Sequence, residues 1–216
     1  MFSQLSIALS LLLSTALAAP LESKLPSTSH SSTSCSPNFT PPISSVITSA
    51  IDSNYGWLSY ENGLGSVKNV SIANLFDIDD YNKIHATNNY VVTPIKGTKN
   101  QYHFVVNSDQ ATADQPLNQC LAPDIFGTIR SSPCISPLSS WTVDCTTCAN
   151  VAGDSYAFGN RCLVKSTVLQ TCATVTSDGL IALRKCSKLT DLPPDLFNYD
   201  SNLTPEQLVG TQSWDF

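Results

Sequence analysis

The chain has 216 residues, of which 13% are charged, with 17 acids against 11 bases and a net charge of −6. The absence of any Lys/Arg cluster excludes a basic nucleic-acid binder. Scarcity of the strong helix formers Glu, Lys, Arg and Met argues against a helical bundle, and a hydrophobic content of 42% argues against full disorder. A β-rich, exported and disulfide-bonded protein remains.

Residues 1–19 read as a signal peptide. An apolar run from Leu11 to Ala18 ends in Ala16-x-Ala18, the small residues a signal peptidase needs. The run is too short to span about 30 Å of hydrocarbon, no later segment reaches 18 apolar residues, and the C-terminus lacks the tail of a lipid anchor signal. Residues 20–42 follow as a Ser/Thr/Pro-rich leader, too poor in large apolar groups to offset its ordering entropy. A domain is expected over 43–200 and a C-terminal tail over 201–216. Within that tail Thr204 and Pro205 predict one short helix, as N-cap and first helical residue.

Between the ends the periodicity is β. Val91–Ile95, Tyr102–Asn107, Trp141–Cys145 and Leu180–Leu183 are short β-branched or aromatic runs bounded by turn formers. No dozen-residue segment keeps a 3.6 period, and short strands at regular spacing predict a sandwich or barrel. In an oxidising compartment eight cysteines mean four disulfides. Cys145-Thr-Thr-Cys148 has no second ligand pair with metal-site spacing, so a structural role is expected for both, and no metal or cofactor. Three acceptor motifs predict N-glycosylation at Asn38, Asn69 and Asn202, with Asn69 favoured because Pro follows the other two.

Internal similarity is the strongest pattern. Asn118-Gln-Cys120-Leu121 recurs 42 residues later as Asn160-Arg-Cys162-Leu163. Each is followed by two further cysteines, Cys134 and Cys145 after the first, Cys172 and Cys186 after the second. Gln101–Asn107 reads as the trace of an earlier, cysteine-free copy. Units of this length cannot bury a face alone and must share a core; closing a barrel also removes exposed strand edges.

Cys-Leu, a second Cys about a dozen residues on, and then an aromatic near a Gln-x-Trp position resemble the ricin B-type β-trefoil lectins, of which secreted fungal examples exist. Cys120-Leu121, Cys134 and Ser139-Ser-Trp141 carry the likeness best; Cys162-Leu163 to Cys172 carries its first half, and Gln212-Ser-Trp214 looks like a closing motif. The resemblance implies an all-β β-trefoil of three repeats of about 40 residues, stapled by disulfides. The repeat spacing then suggests Cys120–Cys134 and Cys162–Cys172, leaving Cys35, Cys145, Cys148 and Cys186 in an open order. Cys35 and Cys148, outside the repeated pattern, are candidate partners.

In that family an Asp directly after Cys-Leu accepts hydrogen bonds from sugar hydroxyls. Here Ala122-Pro123-Asp124 stands in one copy and Val164-Lys165-Ser166 in the other, so only Asp124 could serve, displaced by two positions. Sugar recognition needs a carboxylate or amide for hydroxyl pairs and an aromatic face for the ring. Asp124, Phe126 and Asn118 form that candidate site; the competing reading is a surface Asp at a turn with Phe126 in the core. Trp141 is read as core. Tyr55, Trp57, Tyr60 and Tyr81 line a groove or fill the core. Asp77-Ile-Asp79-Asp80 is read as a solvated turn, lacking the Gly and bidentate Glu of a calcium loop.

The leading expectation is a non-catalytic binder of extracellular glycans; the alternative is a protein-binding effector or protease inhibitor on the same scaffold. A hydrolase needs a nucleophile, a His base and an orienting carboxylate together. His30 falls in the leader, no nucleophile elbow is present, and a pocket holding His85 or His103 with an Asp and a Ser would be required.

Overall fold

In the computed structural model the described residues are 34–40, 42–61, 67–77, 86–106, 119–150, 157–192 and 203–216. The chain divides into Met1–Ser31 and Ser32–Phe216, and everything described belongs to the second unit. The signal-peptide reading and most of the leader lie outside the described residues.

Among the described residues of this unit are fourteen strands and three single 3-10 turns, and no α-helix. The strands are β1 Ile43–Val46, β2 Thr48–Ser49, β3 Tyr55–Glu61, β4 Val67–Asn74, β5 Ala86–Thr87, β6 Asn89–Pro94, β7 Tyr102–Val106, β8 Gln119–Pro123, β9 Ile129–Pro133, β10 Trp141–Asn150, β11 Ala157–Ser166, β12 Cys172–Val175, β13 Ile181–Arg184 and β14 Trp214–Asp215. The expected short helix is one 3-10 turn, Pro205–Leu208, with the Thr204 N–H donating to Gln207 Oε1 at 2.7 Å.

The pairing order β6-β7-β10-β11-β14-β2-β3 returns to β5, which runs into β6 across Asn88. The sheet thereby closes on itself, leaving its ring strands no free edge to template aggregation. Three hairpins cap the ring. The Ile72 N–H donates to the Gly179 carbonyl at 2.8 Å, the Leu183 N–H to the Gly127 carbonyl at 2.7 Å, and the Val67 N–H to Ser131 Oγ at 2.8 Å. Hairpins β3–β4, β8–β9 and β12–β13 therefore touch pairwise, in a triangle. A closed ring under three mutually packed hairpins is the β-trefoil, an all-β fold.

Period-two alternation supplies the core. Tyr102, Phe104 and Val106 of β7 point inward, as do Tyr90 and Val92 of β6. Trp57, Trp141, Trp214 and Tyr90 are fully buried. Trp57 stands edge-on to Trp214 at 5.3 Å and to Tyr90 at 6.4 Å, and Phe104 meets Trp141 at 6.0 Å, within the range where aromatic pairs add to area burial. Each indole of the capping pattern finds an acceptor: Trp141 Nε1 donates to the Leu121 carbonyl at 2.8 Å, Trp214 Nε1 to the Ala173 carbonyl at 3.1 Å. Tyr90 does the same work by pairing its hydroxyl with Ser59 Oγ at 2.7 Å; burial pushes that phenol far above its ordinary pKa, so it stays protonated.

The body is wider than residues 43–200 at both ends. Cys35 exchanges backbone hydrogen bonds with Cys145, at 3.0 and 2.7 Å. Tyr102 donates its hydroxyl to the Pro37 carbonyl, and Phe39 is fully buried against Tyr102 and Phe216. At the other end Trp214 pairs with Cys162 of β11 and Ser49 of β2. Residues 34–40 and 211–216 are thus structural.

The disulfides are Cys35–Cys148, Cys120–Cys134, Cys145–Cys162 and Cys172–Cys186. The expected Cys162–Cys172 bridge is not formed, because the two cysteines hold different structural places. Cys162 lies in ring strand β11 directly opposite Cys145 of β10, whereas Cys172 opens a cap hairpin. The real counterpart of Cys120–Cys134 is Cys172–Cys186, with the same sequence separation of 14. Cys-x6-Gly-x-Ile-x4-Cys spans both hairpins, so the 42-residue alignment matched a cap strand to a ring strand. Nor does Gln101–Asn107 repeat the Trp141 segment: Tyr102 is its pairing partner.

Candidate functional site

The turn of hairpin β8–β9 carries the candidate residues Asp124 and Phe126. Gly127 takes φ +79°, a left-handed conformation costly for other residues. The Asp124 N–H donates to the Thr128 carbonyl and the Gly127 N–H to the Asp124 carbonyl, at 2.9 and 3.0 Å. Asp124 Oδ1 accepts from the Phe126 and Thr128 N–H groups at 2.8 and 3.0 Å, a local side-chain turn of the kind Asp favours. Its Oδ2 lies 2.8 Å from Arg130 Nε. Both oxygens are engaged, yet an ionised carboxylate has about four acceptor directions, so Oδ2 keeps capacity beside a half-exposed guanidinium.

Two large apolar side chains crown this turn: Phe126 is 77% exposed and Ile125 92%. The core placement of Phe126 is therefore incorrect, because the tight Asp124–Gly127 turn throws both residues outward. Asn118 lies outside the described residues. Trp141 is core, as expected of it. Arg130 and Ile125 were not anticipated; Arg130 could have been found by placing Asp124 and Thr128 across a hairpin turn, which puts residue 130 on the adjacent strand.

The second positions after the cap-hairpin cysteines face inward. Ala122 is 3% exposed, and Thr174, its counterpart after Cys172-Ala173, is 5% exposed. Thr174 Oγ1 donates to the Cys172 carbonyl and accepts from Gln212 Nε2. Val164, read as a second such position, is fully buried in β11 opposite Val143.

His103 lies beside a serine without forming catalytic geometry. Its Nδ1 is 3.0 Å from the Ser139 carbonyl and 3.2 Å from Ser139 Oγ. Ser139 is fully buried, and its hydroxyl also contacts the Cys134 and Ser136 carbonyls at 2.9 and 2.7 Å. It is a loop staple that no substrate can reach. His30 and His85 lie outside the described residues. Of the aspartate run, Asp77 is exposed and the rest lies outside them; no group of three or more His, Cys, Asp or Glu suited to a metal occurs among the described residues. Tyr55 and Trp57 are core, and Tyr60 is half-buried; Tyr81 lies outside the described residues.

Of the glycosylation candidates, Asn38 is exposed, with its Oδ1 accepting from the Thr40 N–H at 3.2 Å. Asn69 is half-buried in β4 opposite Tyr60, and Asn202 lies outside the described residues.

No family model matches the chain, and no curated protein does. Among solved structures it is similar to a Polyporus squamosus lectin bound to the human-type influenza-binding epitope Neu5Aca2-6Galb1-4GlcNAc, at 16% identity and TM-score 0.45, over 79% of this chain and 47% of the lectin. The chain thus spans about half the length of that lectin. It is also similar to the cytolethal distending toxins of Haemophilus ducreyi, at 16% identity and TM-score 0.42 over 78% of this chain and 81% of the other, and of Actinobacillus actinomycetemcomitans, at 14% and 0.38 over 73% and 88%.

Proposed function

We propose that this is a secreted, non-catalytic, lectin-like protein that binds extracellular glycans through the β8–β9 turn. The observation that carries the reading is Phe126, 77% exposed on a disulfide-anchored hairpin beside the Asp124–Arg130 pair. An exposed aromatic ring offers a face for the apolar side of a sugar, and a carboxylate–guanidinium pair offers acceptors and donors for adjacent hydroxyls. Four disulfides support an oxidising compartment, and residues 1–19 supply the export signal in this reading. Asn38, exposed on the surface, is the stronger glycosylation candidate beside Asn69.

A glycan array probed with the secreted protein tests the proposal. Binding that falls at least tenfold in Phe126→Ala supports it; a blank array from folded protein removes it. Ile125, 92% exposed next to Phe126, favours a second reading, in which the apolar tip inserts into a protein partner such as a protease. Inhibition across a protease panel, lost in Ile125→Asp, would replace the first reading with the second.

A further inference from the structure

A separate cavity of about 400 Å³ opens on another part of the surface, lined by residues that the β8–β9 turn does not use. Its floor carries polar groups tied to one another by hydrogen bonds. The Ser140 carbonyl accepts from both the N–H and the Oγ1 of Thr167, each at 3.0 Å. Ser140 Oγ donates to Gln101 Oε1 at 3.2 Å, and His103 Nδ1 is held by Ser139. These internal bonds leave specific valences for a ligand. The Gln101 carboxamide keeps two N–H donors, Thr167 Oγ1 and Ser140 Oγ keep acceptor lone pairs, and His103 Nε2 has no partner among the described residues.

The rim is aliphatic. Ile135 is 90% exposed and Val168 51%, and Ile95 and Pro137 continue the wall. Among the described residues no acid, Lys or Arg lines the cavity. A charged ligand would find no counter-charge there and would lose hydration without compensation. A ligand with donors and acceptors on one side, apolar CH or methyl groups on the other, and no net charge matches the floor and the rim together.

We infer that this cavity is a second carbohydrate subsite, for a neutral pyranose bearing an N-acyl group. The inference rests on the carbohydrate-binding reading and adds to it a site and a sugar class. The carboxamide, imidazole and hydroxyls of Gln101, His103, Ser140 and Thr167 bind ring hydroxyls and the acyl carbonyl, and Ile135 and Val168 take the acyl methyl. The volume lies near the lower end of small-molecule sites, about 300–1,000 Å³, which suits a mono- or disaccharide.

The test uses the full secreted chain. His103 side-chain NMR signals are followed while N-acetylglucosamine, and separately glucose, is titrated in. The variants Val168→Trp, which fills the mouth, and Gln101→Ala, which removes two donors, are then compared with wild type on a glycan array, with thermal unfolding as the check on folding. The expected result is a saturable shift of the His103 signals with N-acetylglucosamine, weaker with glucose, and a tenfold or greater loss of N-acylated array hits in either variant. Array binding that leaves the His103 signals in place, or that survives both substitutions, overturns the subsite and leaves the carbohydrate reading standing. An array blank for every glycan overturns both.

Discussion

Hairpins β8–β9 and β12–β13 are built on one frame and present opposite surfaces. Each has a disulfide at separation 14, a left-handed glycine seven residues after the first cysteine (φ +79° at Gly127, +75° at Gly179) and a buried isoleucine two residues later. Thr176 repeats the backbone pairing of Asp124, its N–H donating to Leu180 as that of Asp124 does to Thr128. Between these fixed points one turn carries Ile125 and Phe126, the other Ser177 and Asp178. The frame belongs to the trefoil, since each hairpin packs against its two neighbours. The tip is free to vary, so the apolar tip has no structural reason to be apolar. An exposed Phe forgoes roughly 1.5–3 kcal/mol of burial, which in the proposed function a bound ligand supplies.

The largest way to break the equivalence of the two frames is through their indoles. Trp141→Ala and Trp214→Ala should each cost about 3–5 kcal/mol, from lost burial plus a cavity. Chemical denaturation should give similar losses for both. A clearly smaller loss for Trp214 would mean that β14 is not an equal member of the ring. Next in size are the hairpin disulfides. Replacing Cys120 and Cys134 together by Ala, or Cys172 and Cys186 together, should cost about 3 kcal/mol each through the unfolded state. The C-terminal hairpin should tolerate its loss better, because Gln212 also staples it. Gln212 Nε2 donates to Thr174 Oγ1 and to the Lys185 carbonyl, and its Oε1 accepts from the Ser187 N–H. In the other repeat Ser139 occupies that place with a shorter reach.

The same comparison explains how far the chain could be read without a structure. Period two and the turn formers located β6, β7, β13 and the first half of β10, and the repeat spacing gave Cys120–Cys134 together with the unformed Cys162–Cys172. The Cys35–Cys148 pairing was reachable by setting aside the cysteines that fit no repeat. The offset between copies was not found, because Asn-x-Cys-Leu recurs by coincidence in a cap strand and a ring strand. The correct match, Cys-x6-Gly-x-Ile-x4-Cys, is equally visible in the sequence, but its closing Trp is far displaced: Trp141 comes seven residues after Cys134, whereas Trp214 comes twenty-eight after Cys186. Composition alone left Phe126 between the candidate site and the core; the turn geometry at Asp124 and Gly127 sends it outward. The Gln101–Thr167 cavity joins three distant segments, so no local pattern announces it.

The smallest effect concerns the polar tip. In β12–β13 the Thr176 hydroxyl bonds to the Asp178 carboxylate, and this bond is the largest cause holding the Asp178 pKa below its ordinary value, with backbone N–H groups and Arg184 assisting. A carboxylate depressed in the folded state contributes stability above its unfolded pKa and loses it as pH falls through the folded pKa. The effect is therefore an acid-side loss, beginning near the ordinary Asp value of about 3.9 and running below it. Because Asp178 is almost wholly exposed, solvent screening keeps the contribution far below those of the indoles and disulfides. An NMR titration of the Asp178 carboxyl should find its midpoint below the ordinary value, and Thr176→Val should move it upward. An unmoved midpoint would assign the shift to the turn backbone alone.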